Sequence, residues 1–209
     1  MQVFDARSYN ENTMKGLFRK IYPVIAGQIV SRTGVRQGHC IDLGGGPGML
    51  GIRIAQASEL RVTVVDPQAE CVALAFENIA EHGLGERVEA RTGCAEQLDF
   101  ADDSVDLVVS RGAIYFWTDQ AAGLREIHRV LRPGGWAWVG GGFGNRELRE
   151  EILAAKAADG DWNRARKERG QRNPPEHFAR LLGELEIAGE VRHDDEGTWI
   201  VFRKPAVAA

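Results

Sequence analysis

Apolar positions change period several times along the chain, and each change marks an element. In MKGLFRKIYPVIAGQIV, Met14, Leu17, Phe18, Ile21, Val24, Ile25 and Ile29 recur at helical spacing. Pro23 lacks the N–H that a helix interior needs, so two helices separated at that residue are predicted. From residue 39 the pattern shortens. HCIDL reads as a short buried strand, followed by glycines and the helical stretch GMLGIRIAQAS. LRVTVVD predicts a second strand and AECVALAFENIAEHGLG the helix after it. RVEARTG predicts a third strand and, beyond a loop, SVDLVVS a fourth. The helix AAGLREIHRVL ends at RPGG, and GWAWVGGG predicts a fifth strand. Strands alternating with helices imply a parallel sheet covered on both faces.

The tail follows another pattern. A long polar helical region, roughly 145–170, and the helix EHFARLLGEL precede two strand-like runs, IAGEVRHDD and TWIVFRK. Asp195-Glu196-Gly197 between them reads as a hairpin turn, so the sheet is expected to finish with an antiparallel strand. No repeat, low-complexity stretch or linker divides the chain. The expected organisation is one domain over 1–209: a helical cap at 1–34, a binding core at 35–145, and a helical insertion with the C-terminal hairpin at 146–209.

Composition narrows the class. Of 209 residues, 44% are hydrophobic and 27% charged, the balance of an ordinary globular domain. No apolar run approaches the roughly 20 residues of a membrane helix, and MQVFDARSYNEN lacks the basic start and apolar middle of a signal peptide. A formal net charge of −4 gives no general attraction to nucleic acid or anionic lipid. Cys40, Cys71 and Cys94 are widely separated with no C-x-x-C, which argues against a zinc site or a disulfide framework. A cytoplasmic location is the expectation, with no metal.

Chemistry concentrates after the first strand, in CIDLGGGPGMLG. Glycines let backbone approach a ligand, and the following helix offers unpaired N–H groups. Gly46-x-Gly48-x-x-Gly51 satisfies the dinucleotide fingerprint, but that register runs the strand through Gly44 and Gly45. The alternative ends the strand at Leu43 and reads Asp42-x-Gly44-x-Gly46-x-Gly48, with Asp42 near the carboxyl end of the strand and facing a ligand. A carboxylate there suits a cationic ligand better than a pyrophosphate. Asp66, at the end of VTVVDP, stands where it can accept both hydroxyls of a ribose.

Taken in order, IDLGGGPG, VVDP, GCAEQLDFADDSVDLVVS and REIHRVLRPGG resemble the successive motifs of class I S-adenosylmethionine-dependent methyltransferases, specifically their small type 11 branch. The resemblance covers about 35–145. It implies a Rossmann-like doubly wound α/β fold: a mostly parallel seven-stranded sheet with an antiparallel C-terminal strand. It also implies S-adenosyl-L-methionine as cofactor and S-adenosyl-L-homocysteine as product. By the same resemblance, Gly44, Gly46 and Gly48 pass under the methionine and ribose, Asp66 with the adjoining Pro67 holds the ribose, and the Ala95 amide meets the adenine. Many relatives have an acid where Cys94 stands; a thiol accepts weakly, so adenine recognition falls to backbone or to Glu96, which competes with a role as solvent-facing or turn-capping residue. Ser110 resembles the position whose carbonyl takes the methionine ammonium, and Tyr9 either closes over the cofactor or simply packs.

The stretch SRGAIYFWTD, at the tip of the fourth strand, is expected to face the methyl acceptor. Together with Gly140–Asn145 it also resembles a microbial and archaeal group carrying SRGS-x-FFW and GGGFGN, a group that supplies no substrate. Ile114 and Phe116 are expected in the core, while Tyr115 and Trp117, each with a polar handle, are the pocket candidates. Arg111 needs an anionic partner, either the acceptor or a protein carboxylate. No general base emerges: His128 falls inside a helix and His39 precedes the first strand. Phe143 and Asn145 are possible contacts, with a helix cap the alternative for Asn145. The basic run RARKERGQR is expected to be a solvated helix face, and His193-Asp194-Asp195 a turn rather than a metal site.

These readings converge on transfer of a methyl group from S-adenosyl-L-methionine to a small-molecule acceptor by in-line displacement, with Arg111, Tyr115 and Trp117 as the catalytic candidates. A non-catalytic S-adenosylmethionine-binding module, an RNA methyltransferase and a nicotinamide oxidoreductase are the competing classes. Nucleic acid and membrane are not the expected partners.

Overall fold

The computed structural model describes residues 5–206; the outermost residues of the expected cap and hairpin, 1–4 and 207–209, lie outside the described residues. Seven strands form one sheet in the order β3-β2-β1-β4-β5-β7-β6. In chain order they are β1 (His39–Leu43), β2 (Arg61–Asp66), β3 (Val88–Thr92), β4 (Val105–Arg111), β5 (Leu131–Gly142), β6 (Gly189–Asp194) and β7 (Gly197–Arg203). β1 to β5 run parallel, and β7 is antiparallel to both β5 and β6. This is the expected doubly wound sheet with its antiparallel ending.

The central strands are largely buried because helices cover both faces of the sheet. Of β1, only His39 is not fully buried. Among the described residues, eight α-helices accompany the strands: α1 (Ala6–Asn10), α2 (Ile21–Thr33), α3 (Met49–Ala57), α4 (Ala69–Glu81), α5 (Gln120–Val130), α6 (Arg146–Ala155), α7 (Gly160–Arg172) and α8 (Pro175–Glu184). One core cluster joins α2, α3 and α4 to a face of the sheet through Ile25, Ile29, Ile52, Ile54, Val62 and Val109. A second joins α5 and α8 to the other through Ile41, Leu124, Ile127, Val139, Phe178 and Phe202.

Two expectations need correction. Pro23 separates nothing: it lies in the first turn of α2, where a missing N–H costs no hydrogen bond. The break falls earlier, at Gly16, between a π-helical turn (Glu11–Lys15) and a 3₁₀ turn (Leu17–Lys20). Nor does β5 begin at Gly135. It starts at Leu131 and carries RPGG within it, at a register shift against β4.

The expected polar helical region resolves into α6 and α7. Side chains pin it and α2 to the β6–β7 turn. Arg32 of α2 grips Glu196 with two nitrogens at 2.6 and 2.8 Å, and Gln28 reaches the Gly144 carbonyl at 2.7 Å. Arg146 and Arg149 of α6 pair with Asp195, and Lys20 pairs with Glu151 at 2.5 Å. The helices before β1 and those after β5 therefore close over the same end of the sheet.

Candidate functional site

That end is the carboxyl end of the parallel strands. The order reverses between β1 and β4, which is where an open α/β sheet leaves a crevice. A cavity of about 1300 Å³ occupies it. Drug-sized sites run to about 1000 Å³, so there is room for a nucleoside and a second small molecule together.

One wall comes from the strand tips. β1 ends at Leu43, as the Asp42-x-Gly44-x-Gly46-x-Gly48 register requires. Gly44 sits at φ 64° with its amide donating to the Val65 carbonyl at 2.7 Å, and a Cβ there would lie 2.2 Å from the Ala113 Cβ. Only glycine fits that bend. Asp66, at the tip of β2, lines the cavity. Its Oδ2 accepts from the Gly46 amide at 2.8 Å and its Oδ1 from the Gln68 amide at 3.0 Å. Burial raises its carboxyl above the usual range, while those two amides work the other way. Pro67, Cys71, Cys94, Ala95 and Glu96 continue the wall. Cys94 is exposed and Ala95 buried. Glu96 takes the turn-capping alternative: its Oε1 accepts from the amides of Thr118 and Asp119 at 2.8 and 3.2 Å, just before α5.

Asp42 does not face the cavity, contrary to expectation. It is 1% exposed, and its Oδ2 accepts from the Gly51 amide of α3 at 2.7 Å. A Cβ on Gly45 would stand 2.7 Å from that oxygen, so the glycine turn lies over the carboxylate. Asp42 braces the turn from beneath. Burial pushes its carboxyl up to about 7, against the Gly51 hydrogen bond, and Asp66 adds to the rise. Its Oδ1 finds no partner among the described residues.

Two further predicted residues lie off the cavity. Gly48 begins α3, within reach of Val64 and Ala75 only. Ser110 is fully buried inside β4, which runs one residue longer than its expected end, and its Oγ has no partner among the described residues.

The opposite wall comes from β4, β5 and the covering helices. Arg111, the last residue of β4, donates from Nε to the Gly142 carbonyl at 3.1 Å and from a terminal nitrogen to the Tyr22 hydroxyl at 3.2 Å. It forms no salt bridge among the described residues. Tyr115 and Trp117 line the cavity as expected. Tyr115 packs on Phe178 with ring centroids 6.2 Å apart, and Trp117 packs on Gly123. Burial raises the Tyr115 phenol, while Arg169 and Arg111 favour its ionised form. Ile114 is in the core as expected, but Phe116 is not: it sits on the 3₁₀ turn Ile114–Phe116, 73% exposed, with the Arg169 guanidinium 5.1 Å from its ring centroid.

Tyr9 of α1 lines the cavity against the glycine turn, where a Cβ on Gly46 would be 3.3 Å from its ring. Its phenol is held above the usual range by Tyr22 and by burial. Phe143 lines the cavity, while Asn145 caps α6 by accepting from the Leu148 amide at 2.9 Å. The glycines of β5 admit protein rather than ligand at one point: a Cβ on Gly142 would fall 1.9 Å from the Glu196 carbonyl oxygen. His128 packs on Phe202 and His39 bonds Thr63 at the other end of the sheet, so neither reaches the site.

The basic run was only half legible. Arg164 and Arg172 pair within α7 with Asp161 and Glu168, the expected solvated face. Trp162, Arg166 and Arg169 line the cavity instead. The only signal in the sequence was Trp162 and Gly170 interrupting an otherwise charged stretch. His193 and Asp194 border the cavity from the end of β6, so the expected turn holds only Asp195 of the three, and no cluster of potential metal ligands occurs among the described residues.

A 3-2-1-4-5-7-6 sheet with an antiparallel seventh strand, and a cleft over its switch point walled by a glycine turn and an acid-tipped strand, defines the class I methyltransferase fold. The family described as Methyltransferase domain matches residues 40–135. A solved structure from Methanococcus maripaludis, assigned to the S-adenosyl-L-methionine-dependent methyltransferases, is 35% identical. It superposes with a TM-score of 0.92 over 100% of this chain and 99% of that one. The chain belongs to the S-adenosyl-L-methionine-dependent methyltransferases. It is also similar to two ubiquinone/menaquinone biosynthesis C-methyltransferases. The protein of Rubrivivax gelatinosus is 44% identical over 46% of this chain, and that of Hahella chejuensis 30% identical over 64%. These matches span only 36% and 55% of the two relatives' own lengths. No helix among the described residues is long and apolar enough to cross a membrane.

Proposed function

We propose that the protein binds S-adenosyl-L-methionine across the tips of β1, β2 and β3 and directs its methyl group to a small molecule held under α1 and α7. The observation that carries this reading is Asp66. It is a carboxylate fixed by two backbone amides at a strand tip, open to the cavity, and one turn of glycine backbone away from Gly44. Such a carboxylate keeps lone pairs free for the paired hydroxyls of a ribose.

The remaining residues fit the same ligand. Ala95 and Cys94 present backbone beside Asp66 for the adenine edge. Gly44 and Gly46 leave the surface above the turn bare. Asp42 beneath that turn, with its carboxyl raised and one oxygen unpartnered, is a buried group whose ionised form a cation above the turn would favour. The cofactor supplies an already activated methyl group, so the protein's share is alignment and exclusion of water. Tyr9 closes over the glycine turn, and Tyr115 and Trp117 wall the side where an acceptor enters. Their faces suit a positive charge. Arg111, tied to the Gly142 carbonyl and Tyr22, orients the acceptor rather than taking its proton, because guanidinium stays protonated. In this reading the protein is a single unit in which 35–145 holds the cofactor, and the flanking segments cover the acceptor that Arg111, Tyr115 and Trp117 meet from below.

The test has two parts. Asp66→Ala is expected to weaken S-adenosyl-L-methionine binding at least about tenfold by isothermal titration, the loss of a charged hydrogen-bond partner. Wild-type protein with metabolite extract is expected to release S-adenosyl-L-homocysteine, and not without extract. Unchanged binding in Asp66→Ala would remove the site assignment; binding without turnover in any extract would leave a non-catalytic binding module.

A further inference from the structure

Resting on that function, a question remains about what the second wall recognises. Its side chains are conspicuously cationic. Arg111, Arg149, Lys156, Arg166 and Arg169 all border the cavity. Two of them have carboxylate partners: Arg149 meets Asp195 at 3.4 Å and Lys156 meets Asp159 at 3.0 Å. Arg111, Arg166 and Arg169 have none among the described residues. Arg111 is satisfied by a carbonyl and a phenol, while Arg166 and Arg169 lie over the rings of Trp162 and Phe116 at 5.6 and 5.1 Å.

Nor is a lining carboxylate free to turn toward them. Asp66 is held by two amides, Glu96 by the Thr118 and Asp119 amides, Asp194 by the Glu196 amide at 2.8 Å, and Asp195 by Arg146 and Arg149. Arg169 is half-buried. Burial lowers its affinity for a proton, and the positive charge of Arg111 lowers it further, so the two guanidiniums feel one another. Tyr115 interacts with both. Two guanidiniums that border one cavity without a carboxylate partner, one of them half-buried, are unfavourable unless something of opposite sign joins them.

We propose that the methyl acceptor is an anion at neutral pH, a carboxylate or phosphate compound with a flat apolar body, whose charged group is bound by Arg169 and Arg111 while its body lies along Tyr115 and Phe116. Guanidinium forks suit both oxyanions, and stacked aromatic walls suit a planar body. The arrangement also gives specificity. A neutral analogue leaves two cations uncompensated, a larger loss than a missing apolar contact.

Protein saturated with S-adenosyl-L-homocysteine is titrated with benzoate, phenyl phosphate and neutral benzamide, following Trp117 and Trp162 fluorescence. At least one anion is expected to bind about tenfold or more tighter than benzamide, and which of the two binds better identifies the oxyanion. Arg169→Gln is expected to abolish that preference and Arg169→Lys to keep part of it, each leaving S-adenosyl-L-homocysteine affinity and the circular dichroism spectrum unchanged. Equal binding of anions and benzamide, no binding of any of the three, or an intact preference in Arg169→Gln overturns the inference. Failure of wild-type protein to bind S-adenosyl-L-homocysteine would instead overturn the functional reading beneath it.

Discussion

The two walls of the cavity are built on opposite principles. The strand-tip wall is made of connections whose shape the sheet dictates; Asp66 in it, and Asp42 beneath its glycine turn, accept hydrogen bonds from backbone amides of the chain itself. The opposite wall is made of the tips of β4 and β5 and the helices that cover them, and its cations Arg111, Arg166 and Arg169 find phenols, carbonyls and rings instead of carboxylates. The family match at 40–135 includes the first wall and, in the second, little beyond Arg111–Trp117. The family match therefore informs the strand-tip wall far more than the opposite one.

The comparison can be broken at its seams. Gly142→Ala puts a Cβ into the Glu196 carbonyl and is expected to cost about 3 kcal/mol by denaturant unfolding, since backbone must move on both β5 and the β6–β7 turn. Gly44→Val strikes the other wall. It forces a β-branched residue to φ 64° against Ala113, and S-adenosyl-L-homocysteine binding by calorimetry is expected to fall on the order of a hundredfold. Benzoate fluorescence titration of the unliganded Gly44→Val protein should remain saturable if the walls act independently.

A gentler test uses pH. The Asp42 carboxyl stands at about 7 in the fold, above its unfolded value, so the fold favours the protonated form. Its contribution is fully present at pH values below the unfolded one and is lost as pH rises through about 7. The thermal midpoint is expected to drop by several degrees from pH 5 to pH 8, and Asp42→Asn, which cannot ionise, to flatten that slope. Smallest of all, Phe116→Ala should change stability by no more than about 0.5 kcal/mol because the ring is largely in solvent, while weakening anion binding through loss of the surface over which Arg169 lies.

How much the chain disclosed beforehand follows the same division. β1 was legible to the residue, because a short buried run of strand length ends there where glycines begin. Asp66 and its neighbours were legible by position along that alternation. Asp42 was placed at the right strand end but on the wrong side of the turn. Its orientation depends on where Gly45 and Gly51 pass, which a linear pattern does not encode. Phe116 misled because three adjacent aromatics carry no period; the 3₁₀ turn that exposes the middle ring is a tertiary outcome. Arg166 and Arg169 were hidden for a simpler reason: a polar helix face reads the same whether it meets water or a cavity. Arg-Pro-Gly-Gly signalled a stop, yet β5 runs through it on a register shift against β4.

The place of the nucleoside decides between the two walls, and a crystal structure with S-adenosyl-L-homocysteine tests it most directly. The ribose hydroxyls are predicted within hydrogen-bonding distance of the Asp66 carboxylate, with the adenine beside Cys94 and Ala95. A ligand found against Arg166 and Arg169 instead, with Asp66 untouched, would contradict it.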